Sequence, residues 1–395
     1  MKILHIGKYF PPFSGGMENY LRDLMVSLSK RGIDSAALVH QTNIGLRSRK
    51  ENFPAGEQTL PITRAAVWIR LLFTPVSPTF PLLMNRAIRE EQAELLHLHM
   101  PNASVFWALF LPRARKIPWV IHWHSDVLAS QHSLGLRLFY QLYRPFERAV
   151  LARSKVIIAT SPPYLDSSIS LQDYRDKCHV VPLGLDPEHY PASPPVRATN
   201  DNGAPMHILA IGRLTYYKGF DYLIRAMATV QNATLELVGK GDEEARLRTL
   251  VKQLGLEDRI TFCGHLSPQQ LGQAFARADC LCLPSLERTE AFGLVLLEAM
   301  QSGLPTVISD VPGSGMGWVV DEGVTGLKVP PKNEDKLASA LQSLQQDRAR
   351  MRTLGEQGRE KFLQLFHIDK SAAGVARLYM KASGNDGSTP ERPAA

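Results

Sequence analysis

Apolar residues in this chain follow two alternating rhythms, and their alternation predicts the architecture. "KILHIG" (2–7) is a near-continuous apolar run that stops at a glycine, the pattern of a strand buried on both faces. In "MENYLRDLMVSLSKRG", which follows shortly, Leu21, Leu24 and Leu28 recur at helical spacing and Gly32 terminates the run. "SAALVH" then reads as a second strand. The same succession returns at "MHILAIGRLTYYKGFDYLIRAMATV" (206–230): a strand entering Gly212, a basic loop, and a helix carrying Leu223, Ile224 and Met227. "ATLELVGKGDEEARLRTLVKQLG" continues as strand, glycine turn and helix, "RITFCGHL" as strand and turn, and "ADCLCLPS" as strand. Such repetition predicts an α/β chain made of two doubly wound, Rossmann-like units.

The expected boundaries follow from composition. Residues 1–182 form the N-terminal domain. Residues 183–205, rich in Pro, Asn, Asp and Gly without periodicity, form the linker, and 206–368 form the C-terminal domain. A terminal helix spans 369–381, free to pack back on the N-terminal domain, and 382–395 is a low-complexity tail expected to be disordered. Two such domains would face each other across a deep cleft, with the carboxyl ends of both sheets towards it, where open α/β sheets bind ligands.

The chain has 395 residues, 44% hydrophobic and 21% charged, enough for two ordinary domains. Cys178, Cys263, Cys280 and Cys282 show neither CxxC spacing nor the density of a disulfide scaffold, and read as buried small side chains in a reducing compartment. The N-terminus meets a glycine and two prolines too early for a signal peptide, and no apolar run is long enough to span a bilayer. A cytoplasmic protein is expected. Charge is uneven: residues 1–182 hold 22 Lys/Arg against 13 Asp/Glu, and residues 183–395 hold 23 against 25. The basic first half points to an anionic partner such as a phosphorylated substrate, an acidic lipid surface or nucleic acid. No nucleic-acid-binding module is recognisable.

Four places carry candidate chemistry. Arg213 and Lys218 lie in "GRLTYYKG", where a strand end opens into a helix N-terminus. Two cations there suit a diphosphate, although a solvated surface pair has the same signature. Gly15 and Gly16 hold the matching position in the first domain, as a phosphate-approaching loop or a plain turn. Neither loop is a P-loop or a G-x-G-x-x-G fingerprint. In "WVIHWHSDVL" (119–128), His122, His124 and Asp126 would share one side if the strand runs on. They could be a hydrogen-bonded pair with a neighbour, a substrate-facing set, or zinc ligands if the chain bends. In "HLHMPN" (97–102), His97 reads as structural and His99 as an outside candidate. Last, "LERTEAFGLVLLEAMQSG" predicts a helix from near Phe292 or Gly293 to Gly303. Glu290 would stand just ahead of it and Glu298 roughly 8–12 Å further along. That separation is too wide for two carboxylates working on one bond, but it suits two groups holding opposite parts of an elongated ligand. A helix-cap acid and a satisfied structural acid would look alike.

Together these segments resemble the retaining glycosyltransferases of the GT-B fold, family four of their sequence classification. The resemblance runs from Lys2 to about Met380. Its strongest element is "EAFGLVLLEAMQSGLP" (290–305), with Glu290 and Glu298 in an E-x7-E arrangement; "GRLTYYKG" and Gly15–Gly16 match in order. Ala291 departs from the family's usual glycine, which would trim the sugar pocket. The resemblance implies a donor diphosphate on Arg213 and Lys218, ribose on Glu298 and the transferred sugar's hydroxyls on Glu290. Sugar and phosphate would meet the amides of Phe292, Gly293, Leu294 and Val295, with Ala291 lining the same pocket. It puts Gly15 and Gly16 at the diphosphate, and the base near Gly239, Lys240, Gly264, His265 and Leu266. His124 would stand at the reaction centre beside Glu290, Arg213 and Lys218, with His99 and Asp126 on the acceptor side.

No metal or other cofactor is implied, and the chain contains no Asp-x-Asp. A likeness to O-antigen and capsule transferases favours GDP-mannose or GDP-rhamnose as donor. A UDP-sugar, or noncatalytic binding of a nucleotide or sugar phosphate, is the alternative. The implied acceptor is a glycan or polyprenyl-diphosphate-linked glycan in cell-surface polysaccharide synthesis, met at the cytoplasmic face of the inner membrane. The basic, aromatic segments 67–89 and 134–155 suit such a surface, and equally suit ordinary amphipathic packing.

Overall fold

The structure is a computed structural model that describes residues 1–13, 15–56, 58–71, 74–127, 134–189 and 203–384. Within the expected linker and tail, residues 190–202 and 385–395 lie outside the described residues. Contacts divide the chain into two units. The first comprises Met1–Thr160, Leu165–Gly184 and Ile368–Ala395, and the second Ser161–Tyr164 and Leu185–His367.

The strands of the first unit are β1 (Lys2–Ile6), β2 (Asp34–Ile44), β3 (Arg49–Ala55), β4 (Gln58–Val67), β5 (Ile69–Leu71), β6 (Thr74–Val76), β7 (Leu95–Met100), β8 (Trp119–Trp123), β9 (Val156–Ala159) and β10 (Cys178–Val180). Eight of them form one sheet in the order β10-β9-β8-β7-β1-β2-β4-β3, and β5 and β6 form a separate hairpin. Only β3 runs antiparallel in the large sheet. The central strands β1, β7 and β8 are buried almost throughout, as unbroken apolar runs covered on both faces must be. Helices α1 (Gly16–Lys30), α2 (Phe80–Glu90) and α3 (Leu134–Arg153) follow β1, β6 and β8. Segment 67–89 divides into the end of β4, the β5–β6 hairpin and α2.

The second unit holds β11 (Met206–Ile211), β12 (Ala233–Val238), β13 (Ile260–Gly264), β14 (Cys280–Leu283), β15 (Thr306–Ser309) and β16 (Gly326–Val329), all parallel, in the order β13-β12-β11-β14-β15-β16. Helix α4 (Phe220–Met227) presses Leu223, Ile224 and Met227 into a fully buried core with Ile208, Leu235 and Leu237. Each such side chain contributes on the order of 1.5–3 kcal/mol relative to exposure. Cys280 and Cys282 are buried in the same core and burial pushes the Cys282 thiol up, whereas Cys178 and Cys263, also expected to be buried, are only partly so. Helix α5 (Leu294–Gln301) follows β14.

Two short segments depart from simple chain order. Ser161–Tyr164 belongs to the second unit, where the Arg288 guanidinium lies 4.7 Å from the Tyr164 ring centroid. The last helix, α6 (Ile368–Ala382), belongs to the first unit and packs on α1. Ser27 Oγ donates to Asp369 at 2.6 Å, the Tyr20 and Ser371 hydroxyls meet at 2.9 Å, and Tyr379 reaches His97 at 2.7 Å. Among the described residues, no helix is long and apolar enough to cross a membrane.

Glu147 on α3 is 1% exposed, and its carboxylate accepts a hydrogen bond from Ser170 Oγ at 2.9 Å. Burial raises its pKa from 4.5 to about 7. Between those values the folded chain keeps a proton that the unfolded chain has released, so stability falls as pH rises through this window and levels off above it. Glu147→Gln removes the penalty. Melting curves should show the variant a few degrees above the parent at pH 8 and level with it near pH 4.5; equal melting temperatures at both pH values would contradict this reading.

Candidate functional site

In both sheets the chain runs outward from a central strand in one direction and then returns to that strand's other side. The reversal lies between β1 and β7 in the first sheet and between β11 and β14 in the second. Loops leaving the carboxyl ends of two such strands diverge and leave a crevice. In the second unit these two loops carry the candidate residues.

The loop after β11 begins at Gly212, whose N–H donates to Val238 at 3.0 Å. It passes Arg213, makes a single 3-10 turn at Tyr216–Lys218 and enters α4 through Gly219 in the left-handed region, φ +66. A side chain at Gly219 would meet the Pro284 carbonyl at 2.2 Å, so this loop and the loop after β14 are in backbone contact. Leu286 N–H donates to the Tyr217 carbonyl at 2.7 Å and the Tyr216 hydroxyl to Glu287 at 2.9 Å. These bonds fix the two loops against each other. Arg213 remains exposed, whereas Lys218 is buried and its ammonium donates to the Glu290 carboxylate. The side chains of this ion pair are 10% and 14% exposed.

The segment from Glu290 to Gly293 is held from behind. Ser314 Oγ donates to the Glu290 carbonyl at 2.5 Å, and Gly315 N–H donates to the Ala291 carbonyl at 2.8 Å. A side chain at Gly315 would crowd both the Ala291 carbonyl and Ser161 Oγ at 2.7 Å. Gly293 turns the chain at φ +80 and α5 starts at Leu294, one residue after the later of the two expected starts. Ala291, Phe292 and Gly293 are buried, and Leu294 and Val295 are partly exposed. Their N–H groups in the first turn have no acceptor within the helix, so that end favours an anion. Glu298, partly exposed, stands in the second turn of the same helix.

Beyond β11 the neighbouring strand ends continue the rim. Gly239 at φ +136 lies so near the Gly212 carbonyl that a Cβ would stand 1.9 Å from it, and Gly239 N–H donates to Gly264 at 2.8 Å. Gly264 also has positive φ, and a Cβ there would lie 3.5 Å from Lys240 Cε. Lys240 and His265 are exposed and Leu266 is partly so. Arg213, Lys218, Gly239, Lys240, Gly264, Glu290 and Glu298 therefore all belong to the carboxyl-end side of one sheet.

The remaining expected residues are in the first unit. Gly15 caps α1 in an extended conformation and Gly16 is its first residue. A Cβ at Gly15 would strike the Glu18 carboxylate at 2.2 Å. Nearby, Gly7, Lys8, Tyr9, Glu18, His99 and Pro101 line a small cleft at the reversal between β1 and β7. His124 is buried, with Nε2 3.0 Å from Nδ1 of His99. Asp126 does not join it. Strand β8 ends at Trp123, and the Asp126 carboxylate accepts from Trp123 Nε1 at 2.8 Å and Ser168 Oγ at 2.6 Å. The proposed ligand set of His122, His124 and Asp126 is not formed, because the Asp126 carboxylate is engaged by Trp123 and Ser168 instead of the histidines.

Sequence reasoning missed Ser314 and Gly315 as the support of the Glu290 loop. The signal was the "GSGMG" run, which carries no acid or base to attract notice.

Residues 14–189 match the family described as Glycosyltransferase Family 4, and residues 197–361 match the family described as Glycosyl transferases group 1. The O-antigen chain mannosyltransferase C of Escherichia coli is 27% identical over 96% of this chain and 98% of its own length. The D-rhamnosyltransferase WbpZ of Pseudomonas aeruginosa is 28% identical over 93% of this chain and 92% of its own. A GDP-mannose-dependent alpha-(1-6)-phosphatidylinositol monomannoside mannosyltransferase of Mycobacterium tuberculosis is 27% identical over 95% and 97%. Among solved structures, the sucrose-phosphate synthase of Thermosynechococcus elongatus superposes with a TM-score of 0.78 at 24% identity, covering 96% of this chain and 98% of its own. HepE of Anabaena, solved with UDP and glucose, gives 0.72 at 21% identity, covering 96% and 99%.

The ion pair yields a stability prediction. Removing one partner leaves the other charge in a largely dry position, so Lys218→Met or Glu290→Gln alone should destabilise the second unit by about 2–4 kcal/mol. The double variant should regain much of that loss. A double-mutant cycle by denaturant unfolding measures the coupling; additive losses would mean that the two charges do not interact.

Proposed function

The chain is a glycosyltransferase of the GT-B fold, related to the group 1 and family 4 transferases and to bacterial O-antigen sugar transferases; from that premise we propose that it moves a hexose, with retention, from a GDP-sugar to a lipid-linked glycan. It acts on a nucleotide sugar, and glycosyltransferases of this kind typically work without a metal cofactor. The observation that carries the reading is the Lys218–Glu290 pair at the strand reversal of the second sheet, joining the loop that carries exposed Arg213 to the loop that leads into α5.

A nucleoside diphosphate sugar is long and carries its charge in the middle. In this proposal Arg213, Lys218 and the first-turn amides of α5 meet the diphosphate. Glu290 accepts hydrogen bonds from hexose hydroxyls and Glu298 from the ribose. The glycine-lined strand ends at Gly239 and Gly264 leave room for the base beside Lys240, His265 and Leu266. Cleavage of the sugar–phosphate bond leaves negative charge on the diphosphate and develops positive charge at the anomeric carbon. Preorganised cations and amides oppose the first, and the Glu290 carboxylate favours the second. The departing phosphate oxygen takes the acceptor's proton. His124 and Gly16 are assigned to the sugar and acceptor side, with His99 and Asp126 as further acceptor-side candidates.

GDP-mannose or GDP-rhamnose is favoured because relatives spanning this chain's length are named for mannosyl, rhamnosyl and GDP-mannose-dependent transfer. A UDP-sugar is the second reading, as HepE holds UDP and glucose in the same fold.

A lipid-linked acceptor requires approach to a bilayer, and two surfaces of the first unit support it. Ile44, Leu46, Trp68, Ile69 and Leu71 are exposed beside exposed Arg47 and Arg70, on neighbouring segments joined by Gly45 N–H to Val67 at 2.8 Å. Trp107, Phe110, Leu142 and Phe146 form a second exposed apolar surface near Arg144 and Arg148. Apolar side chains among arginines suit the anionic face of a membrane.

Two outcomes test these assignments. GDP should raise the melting temperature more than UDP or ADP, and Lys218→Ala and Glu290→Ala should each lower turnover of the matching sugar by about 10²–10³-fold. Unchanged nucleotide release in both variants would remove the site assignment, and a larger UDP shift would transfer the donor to the second reading. Separately, phosphatidylglycerol vesicles should retain the protein at low salt and release it as salt rises. Trp68→Glu with Ile69→Glu should weaken retention; failure of the parent to cosediment would exclude the membrane surface as a partner.

A further inference from the structure

Five histidines lie side by side in the first unit. Strand β7 sits between β1 and β8, with His5 opposite His97 and His99 opposite His122 in register. The backbone of His124 extends the ladder by one bond, its N–H donating to Met100 at 2.9 Å. Side chains alternate along strands, so all five imidazoles project from one face. Tyr20 of α1 and Tyr379 of α6 cover them, with ring centroids 5.1 Å from His122 and 5.4 Å from His97. None of the five is more than 7% exposed.

A neutral imidazole offers one N–H and one lone pair. Here His5 Nδ1 lies 3.3 Å from His99 Nε2, His99 Nδ1 lies 3.0 Å from His124 Nε2, and the Tyr379 hydroxyl lies 2.7 Å from His97 Nδ1. Nε2 of His5, Nε2 of His97, both ring nitrogens of His122 and Nδ1 of His124 have no hydrogen-bond partner. Burial holds all five imidazoles below the ordinary histidine range. Buried polar atoms without partners are costly to keep. Imidazole nitrogens held in one layer without partners are also what a borderline transition-metal ion binds.

We propose that His5, His97 and His99 form a binding site for one divalent transition-metal ion of the zinc class. One ring nitrogen from each lies within 4.8 Å of the others. His99, His122 and His124 meet the same distance condition with rings within 4–14° of parallel, and they are the alternative triad that the variants below separate. The His5, His97 and His99 planes are inclined by 28–49°. The 3.3 Å between His5 Nδ1 and His99 Nε2 equals the spacing of two ligands about 2.0–2.1 Å from a tetrahedral ion. Tyr379 holds Nδ1 of His97 and leaves Nε2 for the metal, as outer-shell partners of metal-bound histidines do. His99 also lines the cleft with Gly7, Lys8 and Pro101, which provides an entry path. Such an ion would tie β1 to β7, and through Tyr379 to α6, separately from the donor residues of the second unit.

The test uses the full chain, untagged, stripped with chelator and titrated with Co²⁺ or Zn²⁺. One equivalent of Co²⁺ should bind with visible d–d bands, zinc should displace it, and excess zinc should raise the melting temperature. His5→Gln and His97→Gln should abolish the bands, and His122→Gln should retain them. Tyr379→Phe, which leaves every ligand in place, should bind about 10–100-fold more weakly. Far-ultraviolet circular dichroism identifies any variant that fails to fold, and the parent and Tyr379→Phe titrations then decide. No stoichiometric binding by the parent, or bands unaffected by His5→Gln and His97→Gln, would overturn the site. Loss of the bands in His122→Gln with retention in His5→Gln would overturn this choice of triad.

Discussion

Lys218 and Glu290 are 72 positions apart, yet their charges meet in a largely dry setting because β11 and β14 are neighbours. A buried lysine next to no carboxylate, or the reverse, would be strongly unfavourable. The pair therefore constrains everything around it. Both loops must leave their strands at the same level, and the backbone between them must be thin enough for close approach. Gly219 satisfies the second condition against Pro284, and Gly239 satisfies it against Gly212. Ser314 and Gly315 then hold the carbonyls of Glu290 and Ala291, so the carboxylate has a fixed origin. A charged crevice is compatible with a parallel sheet only where the chain reverses direction, and the reversal lies at this point.

The first unit solves a related problem differently. Its sheet also reverses at a central strand, but the side chains on one face of that region are imidazoles rather than aliphatics. Burial keeps them neutral, and two helices distant in sequence close the layer: α1 supplies Tyr20 and α6 supplies Tyr379. That closure accounts for the return of the C-terminal helix to the unit that begins the chain. Ser27 with Asp369 and Tyr20 with Ser371 anchor it in place.

The two units also differ in how they present charge. The cations of the second unit's site sit at strand ends, one exposed and one paired, an arrangement suited to an anion that arrives and leaves. The first unit spreads its excess of Lys and Arg over its surface, in places among exposed Trp, Phe, Ile and Leu. A localised pair selects a small ligand, whereas a dispersed basic and apolar surface suits an extended one.

By itself, the sequence determined the class of fold. Short apolar runs ending in glycine and alternating with 3.6-periodic segments permit little but parallel strands and covering helices, because each element's local period and burial are properties of neighbouring residues. It also singled out Arg213, Lys218, Glu290 and Glu298 as candidates, since charges beside glycines at strand ends stand out from an apolar background. What tertiary structure alone decided depends on strand order and on where strands stop. The Lys218–Glu290 pair, the support from Ser314 and Gly315, and the gathering of His5 with His97 and His99 require knowing which strands are adjacent. Asp126 left the histidines because β8 ends at Trp123. Register and termination arise from packing among segments far apart in the chain, and no local window contains that information.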